Sequence, residues 1–111
     1  MATKKIRPPE QLEELERNLW NRIVREYNIS GSPALALLRT GLEAHQRSRQ
    51  CREKIDLEGI TVLDRFGQAK AHPLLSAERD ARAQFLMSFK LLGFEDDDGD
   101  KPRVGRPSYR I

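Results

Sequence analysis

A chain of 111 residues, 38% apolar and 33% charged, is long enough for one domain with a lean core. The net charge of +3 is unevenly spread: Lys4, Lys5 and Arg7 precede any acidic residue, and the chain ends "EDDDGD" and then "KPRVGRPSYRI". No apolar run approaches the roughly 20 residues that cross a bilayer, the start lacks the apolar centre of a secretory signal, and one cysteine excludes an internal disulfide, so the expectation is a protein of a reducing cytoplasm with no membrane partner.

Residues 1–8 form a basic arm, and a helix is predicted over 9–28. Pro8 and Pro9 suit its opening, and Glu10, Glu13 and Glu14 lie at the positive end of its dipole. Leu12, Leu15, Leu19, Trp20, Ile23, Val24 and Tyr27 recur at three- and four-residue steps, which places them on one face, with Trp20 a core residue. Gly31 reads as the break, Ser32 as an N-cap and Pro33 as the first helical residue.

The second helix is predicted to run to Glu58, with Gly59 in the left-handed C-terminal conformation. One face reads Leu37, Gly41, Ala44, Ser48, Cys51, Ile55, a seam built mainly of small side chains along which another helix approaches closely. Given the lean composition, the seam is expected to serve as core and as a contact with other copies of the chain. Cys51 reads as a small buried hydrophobe and not a nucleophile, and the lone His45 as structural. The opposite side carries Arg39, Arg47, Arg49, Arg52 and Lys54.

The segment "GITVLDRFGQAKAHP" then breaks the helical pattern. Alternating β-branched residues, a turn closing on Gly67 and "QAKA" predict a hairpin at about 60–71. Two strands alone are marginal, so the hairpin must lie on helices or pair with a neighbour. His72 must be extended because Pro73 follows, and Pro73 opens a third helix whose apolar face is Leu74, Leu75, Ala77, Ala81, Phe85, Leu86, Phe89 and Leu92 and which ends at Gly93. The expected fold is therefore mainly α: two N-terminal helices, the second long, a short β-hairpin and a third helix over 9–93, between flexible basic termini, with the acidic-then-basic tail at 94–111.

Phosphate loops, paired Cys-x-x-Cys, His-Glu-x-x-His and G-x-S-x-G are all missing from the sequence. Two histidines and one cysteine do not make a zinc site, and "EDDDGDK" has its glycine misplaced for a calcium loop. The expectation is no catalytic residue, no metal and no cofactor.

The order of motifs resembles the small subunits of tailed-phage terminases of the cohesive-end type. The likeness rests on Leu19, Trp20, Ile23, Val24, Arg25, Glu26, Tyr27, Asn28 and Ile29, read as "LW..IVREYNI". It continues in "I..EGI.V.D..GQ.K.HP", from Ile55 and Glu58 through Gly59, Ile60, Val62, Asp64, Gly67, Gln68 and Lys70 to His72 and Pro73. It ends in "FKLLG", Phe89 to Gly93, so it covers about residues 11–94. The resemblance implies a non-catalytic DNA-packaging factor of the host cytoplasm. Such a factor forms a homo-oligomeric ring, binds the packaging site on phage double-stranded DNA and delivers it to a separate large subunit holding ATPase and nuclease. It supplies no base-reading residue.

The candidate DNA-binding residues come from charge instead: Lys4, Lys5 and Arg7 in the arm, and Arg103, Arg106 and Arg110 in the tail, as phosphate contacts. "Gly-Arg-Pro" at 105–107 partly matches the minor-groove AT-hook core, with Val104 in place of its first arginine. Solvated termini or a docking peptide for the large subunit are the other readings of these ends. Two further functional readings stand beside the packaging factor: a helical protein-interaction module, and a small helix-turn-helix regulator, whose second helix is too long for a typical recognition helix.

Overall fold

The computed structural model describes residues 6–93. Within them the protein is mainly helical: α1 (Glu14–Glu26), α2 (Ser32–Glu58), strands β1 (Thr61–Leu63) and β2 (Ala69–Ala71), and α3 (Leu74–Leu92). The elements follow the order read from the sequence, but three boundaries shift for local reasons.

α1 begins at Glu14 and not at Pro9 because side chains take the carbonyls that an earlier start would need. Arg17 Nε donates to the Leu12 carbonyl at 2.7 Å and Arg17 Nη2 to that of Glu10 at 2.9 Å, while Gln46 Nε2 reaches the Gln11 carbonyl at 3.1 Å. The same Gln46 accepts the Glu13 N–H through Oε1 at 2.6 Å. The segment before α1 is thus an irregular strap tied to α2.

Asn28, and not Gly31, reverses the chain after α1. Its φ of 54° is left-handed, the Ile29 N–H donates back to the Val24 carbonyl at 3.1 Å, and Ile29 is buried. This is the Schellman arrangement with asparagine in the glycine position. Gly31 keeps an ordinary φ of −79° and caps α2, whose first residue is Ser32; no side chain caps it, and Pro33 sits in the first turn.

α2 is the shared wall. Leu38 and Leu42, both fully buried, join Leu12, Trp20, Ile23 and Ile29, and Phe89 and Leu92 of α3 pack against the cluster. Truncating either leucine to alanine would cost about 2–5 kcal/mol. On its other flank α2 runs antiparallel to α3, and the seam explains the fit. A Cβ on Gly41 would stand 3.0 Å from the Phe89 ring and 3.1 Å from Ser88 Cβ. Ser48 donates to Glu78 Oε2 at 2.9 Å, and Cys51 and Ile55 are buried while Leu37 and Ala44 are half-buried. The helix that approaches this seam is the chain's own α3. The seam therefore forms part of the core, with Leu37 and Ala44 half-buried at its edge.

The strands pair antiparallel in the register Thr61↔Ala71, Val62↔Lys70, Leu63↔Ala69. Asp64 Oδ1 accepts the N–H groups of Phe66 at 2.8 Å and Gln68 at 3.0 Å, and Gly67 closes the turn at a left-handed φ of 79°. His72 ties the hairpin to both long helices. Its N–H donates to the Ile60 carbonyl at 2.8 Å, and its ring Nδ1 accepts the Leu74 N–H at 3.0 Å, capping α3. Nε2 therefore carries the proton and donates to Glu58 Oε1 at 2.7 Å. That bond, followed by the contact with Lys54, holds the Glu58 carboxyl below the usual carboxylate range.

Candidate nucleic-acid interface

The fold sorts the arginines by what neutralises them. On α2, Arg39 pairs with Glu43 at 3.0 Å, Lys54 with Glu58 at 3.1 Å and Arg52 with Glu78 at 3.9 Å. Arg49 is the centre of a network that staples α1 to α2. It donates to Glu16 at 2.8 Å from Nη2 and 3.0 Å from Nε, to Glu13 at 2.6 Å and to Glu53 at 3.1 Å. Glu16 is fully buried and also meets His45 Nδ1 at 2.7 Å. Burial alone would push the Glu16 carboxyl up; the hydrogen bonds and charges of Arg49 and His45 overcome it and hold the carboxyl below its ordinary value. Arg49 is correspondingly raised, chiefly by its bonds to Glu16 and then Glu13. His45 completes the staple by meeting Phe85 of α3 edge-on, ring centroids 4.9 Å apart. Of the basic side of α2, only Arg47 is exposed without an ion pair among the described residues.

The network has a second consequence on α1. Because Glu13 and Glu16 turn to Arg49, they do not oppose the arginines on the outer side of α1, where Glu10, Glu14 and Glu26 are exposed alongside them. Arg22 and Arg25 are exposed with no ion pair among the described residues. Arg17, Asn21 and Arg25 follow one another at four-residue steps on one face. Arg7, exposed in the strap, joins Arg17 and Asn21 in lining a shallow hollow of about 370 Å³ together with Glu10. Arg17 already gives Nε and Nη2 to the Leu12 and Glu10 carbonyls, so the guanidinium groups of Arg7, Arg22 and Arg25 and the amide of Asn21 are the donors that suit phosphate oxygens, which take the larger share of protein–DNA hydrogen bonds and fix register without reading sequence. A second, open hollow of about 820 Å³ lies between the strap and α2, lined by Arg7, Trp20, Arg39 and Thr40 among others. Trp20 Nε1 is buried without a hydrogen-bond partner among the described residues.

Of the residues expected to bind DNA, Arg7 is exposed and shares a hollow with Glu10, Arg17 and Asn21. Lys4, Lys5, Arg103, Arg106 and Arg110 lie outside the described residues. Arg17, Asn21, Arg22 and Arg25 were not singled out by sequence, because the stretch from 10 to 29 holds more glutamates than arginines. The signal that identifies them is which glutamates face inward, and that depends on Arg49 of another helix. Among the described residues no group of three or more His, Cys, Asp or Glu side chains could hold a metal ion, and no helix is long and apolar enough to cross a membrane. No family model, curated protein or solved structure matches the chain.

Proposed function

We propose that the chain is the non-catalytic small subunit of a phage DNA-packaging terminase. In this reading it assembles as a homo-oligomeric ring in the host cytoplasm, binds the packaging site on double-stranded phage DNA, and recruits and regulates the large ATPase–nuclease subunit. One observation carries the reading: the residues of the resemblance occupy the joints of the fold. "REYNI" is the left-handed stop between α1 and α2, and "EGI.V.D..GQ.K.HP" is the hairpin with its Glu58–His72 clasp. Arg22 and Arg25 of α1, exposed without an ion pair among the described residues, are the donors this reading assigns to DNA phosphates, extended in sequence by Lys4 and Lys5. A helix-turn-helix regulator is less well supported, since the first turn of α2 offers Ser32, Pro33 and Ala34 and little to read a base.

The test is to mix the protein with the large packaging subunit encoded in the same genome, with and without duplex DNA. The expected outcome is no ATP or DNA turnover by this chain alone, and a changed ATPase or nuclease rate of the large subunit when both proteins and DNA are present. An unchanged rate under all conditions would overturn the reading.

A further inference from the structure

His72 stands between the ends of two helices that favour opposite charge states of its ring. α2 ends at Glu58 with no basic residue in its last turn; α3 has no acidic residue in its first turn, and Pro73 brings no side-chain acceptor. The partial charges of the two helix ends therefore stabilise a cation at the end of α2 and oppose one at the start of α3. The ring is buried, and both its nitrogens are engaged: Nδ1 accepts the Leu74 N–H at 3.0 Å and Nε2 donates to Glu58 Oε1 at 2.7 Å. Beyond Glu58, the charged groups of the neighbouring elements are occupied or exposed. Lys54 holds the other oxygen of Glu58 at 3.1 Å, and Lys70 lies exposed two residues earlier in β2. The first charged residue of α3, Glu78, is engaged by Ser48 at 2.9 Å, Arg82 at 3.5 Å and Arg52 at 3.9 Å.

We infer that His72 is a proton-operated joint: on taking a second proton, at Nδ1, it lets go of the first turn of α3 and tightens its hold on the end of α2. Nδ1 accepts through the one in-plane lone pair of the neutral ring, and the same lone pair takes the proton. An imidazolium is thus a donor at both nitrogens. The new Nδ1–H would face the Leu74 N–H across 3.0 Å, two donors with no acceptor between them. On the other side, the bond to Glu58 becomes one between opposite charges, which is shorter and stronger. Glu58 is ionised to receive it, since its carboxyl, bonded to His72 and then to Lys54, is held below the usual range. The released part is bounded. The Leu75 N–H keeps the His72 carbonyl at 3.1 Å, and the His72 N–H keeps that of Ile60 at 2.8 Å. Far along α3, Phe89 stays packed against Gly41. Protonation therefore loosens the start of α3 ahead of the rest of the fold. The joint is a property of the fold and operates whatever the chain binds.

The experiment is a nuclear magnetic resonance titration of the full chain, labelled with nitrogen-15, between about pH 8 and pH 5, where histidines ordinarily take up a proton. The His45 and His72 rings are followed separately, and the Leu74 amide is followed by its shift and its hydrogen-exchange protection. The His72 ring is expected to pass from the Nε2–H tautomer to the imidazolium, with the Leu74 amide shifting at the same midpoint. Protection of Leu74 should fall roughly fivefold, the worth of one N-cap bond, while that of the fully buried Leu42 is kept. His72→Asn offers the same N–H an acceptor that does not titrate, so its Leu74 amide should show no midpoint. Glu58→Gln removes the charge that favours the imidazolium, so it should move the midpoint to lower pH. A His72 ring neutral throughout, a protonated ring with the Leu74 amide unmoved, or a loss of protection shared equally by Leu42 would overturn the joint. So would a Leu74 transition that survives in His72→Asn, or a midpoint unchanged in Glu58→Gln.

Discussion

Substituting Gly41 with alanine sets two effects of known size against each other. In an isolated helix the change is worth about 1 kcal/mol in favour of alanine. Here the added methyl would stand 3.0 Å from two ring carbons of Phe89 and 3.1 Å from Ser88 Cβ, where comfortable carbon contacts lie near 3.5–4.0 Å. The Phe89 ring has little room to yield. It packs against Phe85 at 4.6 Å between centroids, and Phe85 meets His45, which is bonded to Glu16. Ser88 Cβ is fixed to the α3 backbone and moves only with the helix. Overpacking of this kind costs about 1–3 kcal/mol, so after the propensity gain Gly41→Ala should be destabilised by about 1 kcal/mol and Gly41→Leu by several. The assay is urea unfolding followed by far-ultraviolet circular dichroism, with the slope unchanged and the midpoint lowered. A Gly41→Ala protein more stable than wild type would refute the close approach of α2 and α3 at this position.

Three further outcomes follow from the same geometry. Glu16→Gln removes the charge that receives Arg49 and His45 and sets an amide N–H₂ against one of those donors; unfolding should show a loss of about 2 kcal/mol, below the roughly 3–5 kcal/mol of a fully broken buried pair, because Arg49 keeps Glu13 and Glu53. Because the Glu16 carboxyl is held below its ordinary 4.5 when folded, its contribution is fully present above that pH and is lost as pH falls through the folded value. Unfolding midpoints should therefore decline in acid for wild type and less steeply for Glu16→Gln. At the α1 stop, Asn28→Gly should leave stability about unchanged and Asn28→Ala should lower it by about 1 kcal/mol, since φ is 54° there; equal midpoints for the two variants would contradict the left-handed assignment.

The features legible in the sequence were those set by neighbours along the chain. Helical periodicity gave α2 and α3, Gly67 and Asp64 gave the turn, and Pro73 fixed the extended His72. What was not legible depended on contacts across the fold. The start of α1 is decided by Arg17 and Gln46 drawing off three carbonyls, and the Gln46 that does so lies on another helix. Asn28 looked ordinary beside Gly31, yet the burial of Ile29 places the reversal at the asparagine. The small-residue seam announced a close helix partner without saying which, and α3 is close enough in sequence to be that partner. The basic face of α1 was hidden for a related reason: counting charge along 10–29 does not reveal that Glu13 and Glu16 point to Arg49.

In the proposed function, the protein holds duplex DNA through phosphate contacts of the α1 arginines and Arg7, and not through the ion-paired Arg39, Arg52 and Lys54 of α2. The most direct measurement is a salt titration of duplex binding by the full chain. Wild type is compared with a triple variant of Arg7, Arg22 and Arg25 to alanine, and with a control triple of Arg39, Arg52 and Lys54 to alanine, all at matched oligomeric mass. Each phosphate contact contributes about 0.9 to the slope of log affinity against log salt. The first variant is expected to bind more weakly with a slope shallower by up to about 2.7 per bound copy, and the control to keep the wild-type slope. A control that loses the slope while the α1 variant keeps it, or a wild type with no salt-dependent binding, would rule out DNA binding through the α1 arginines.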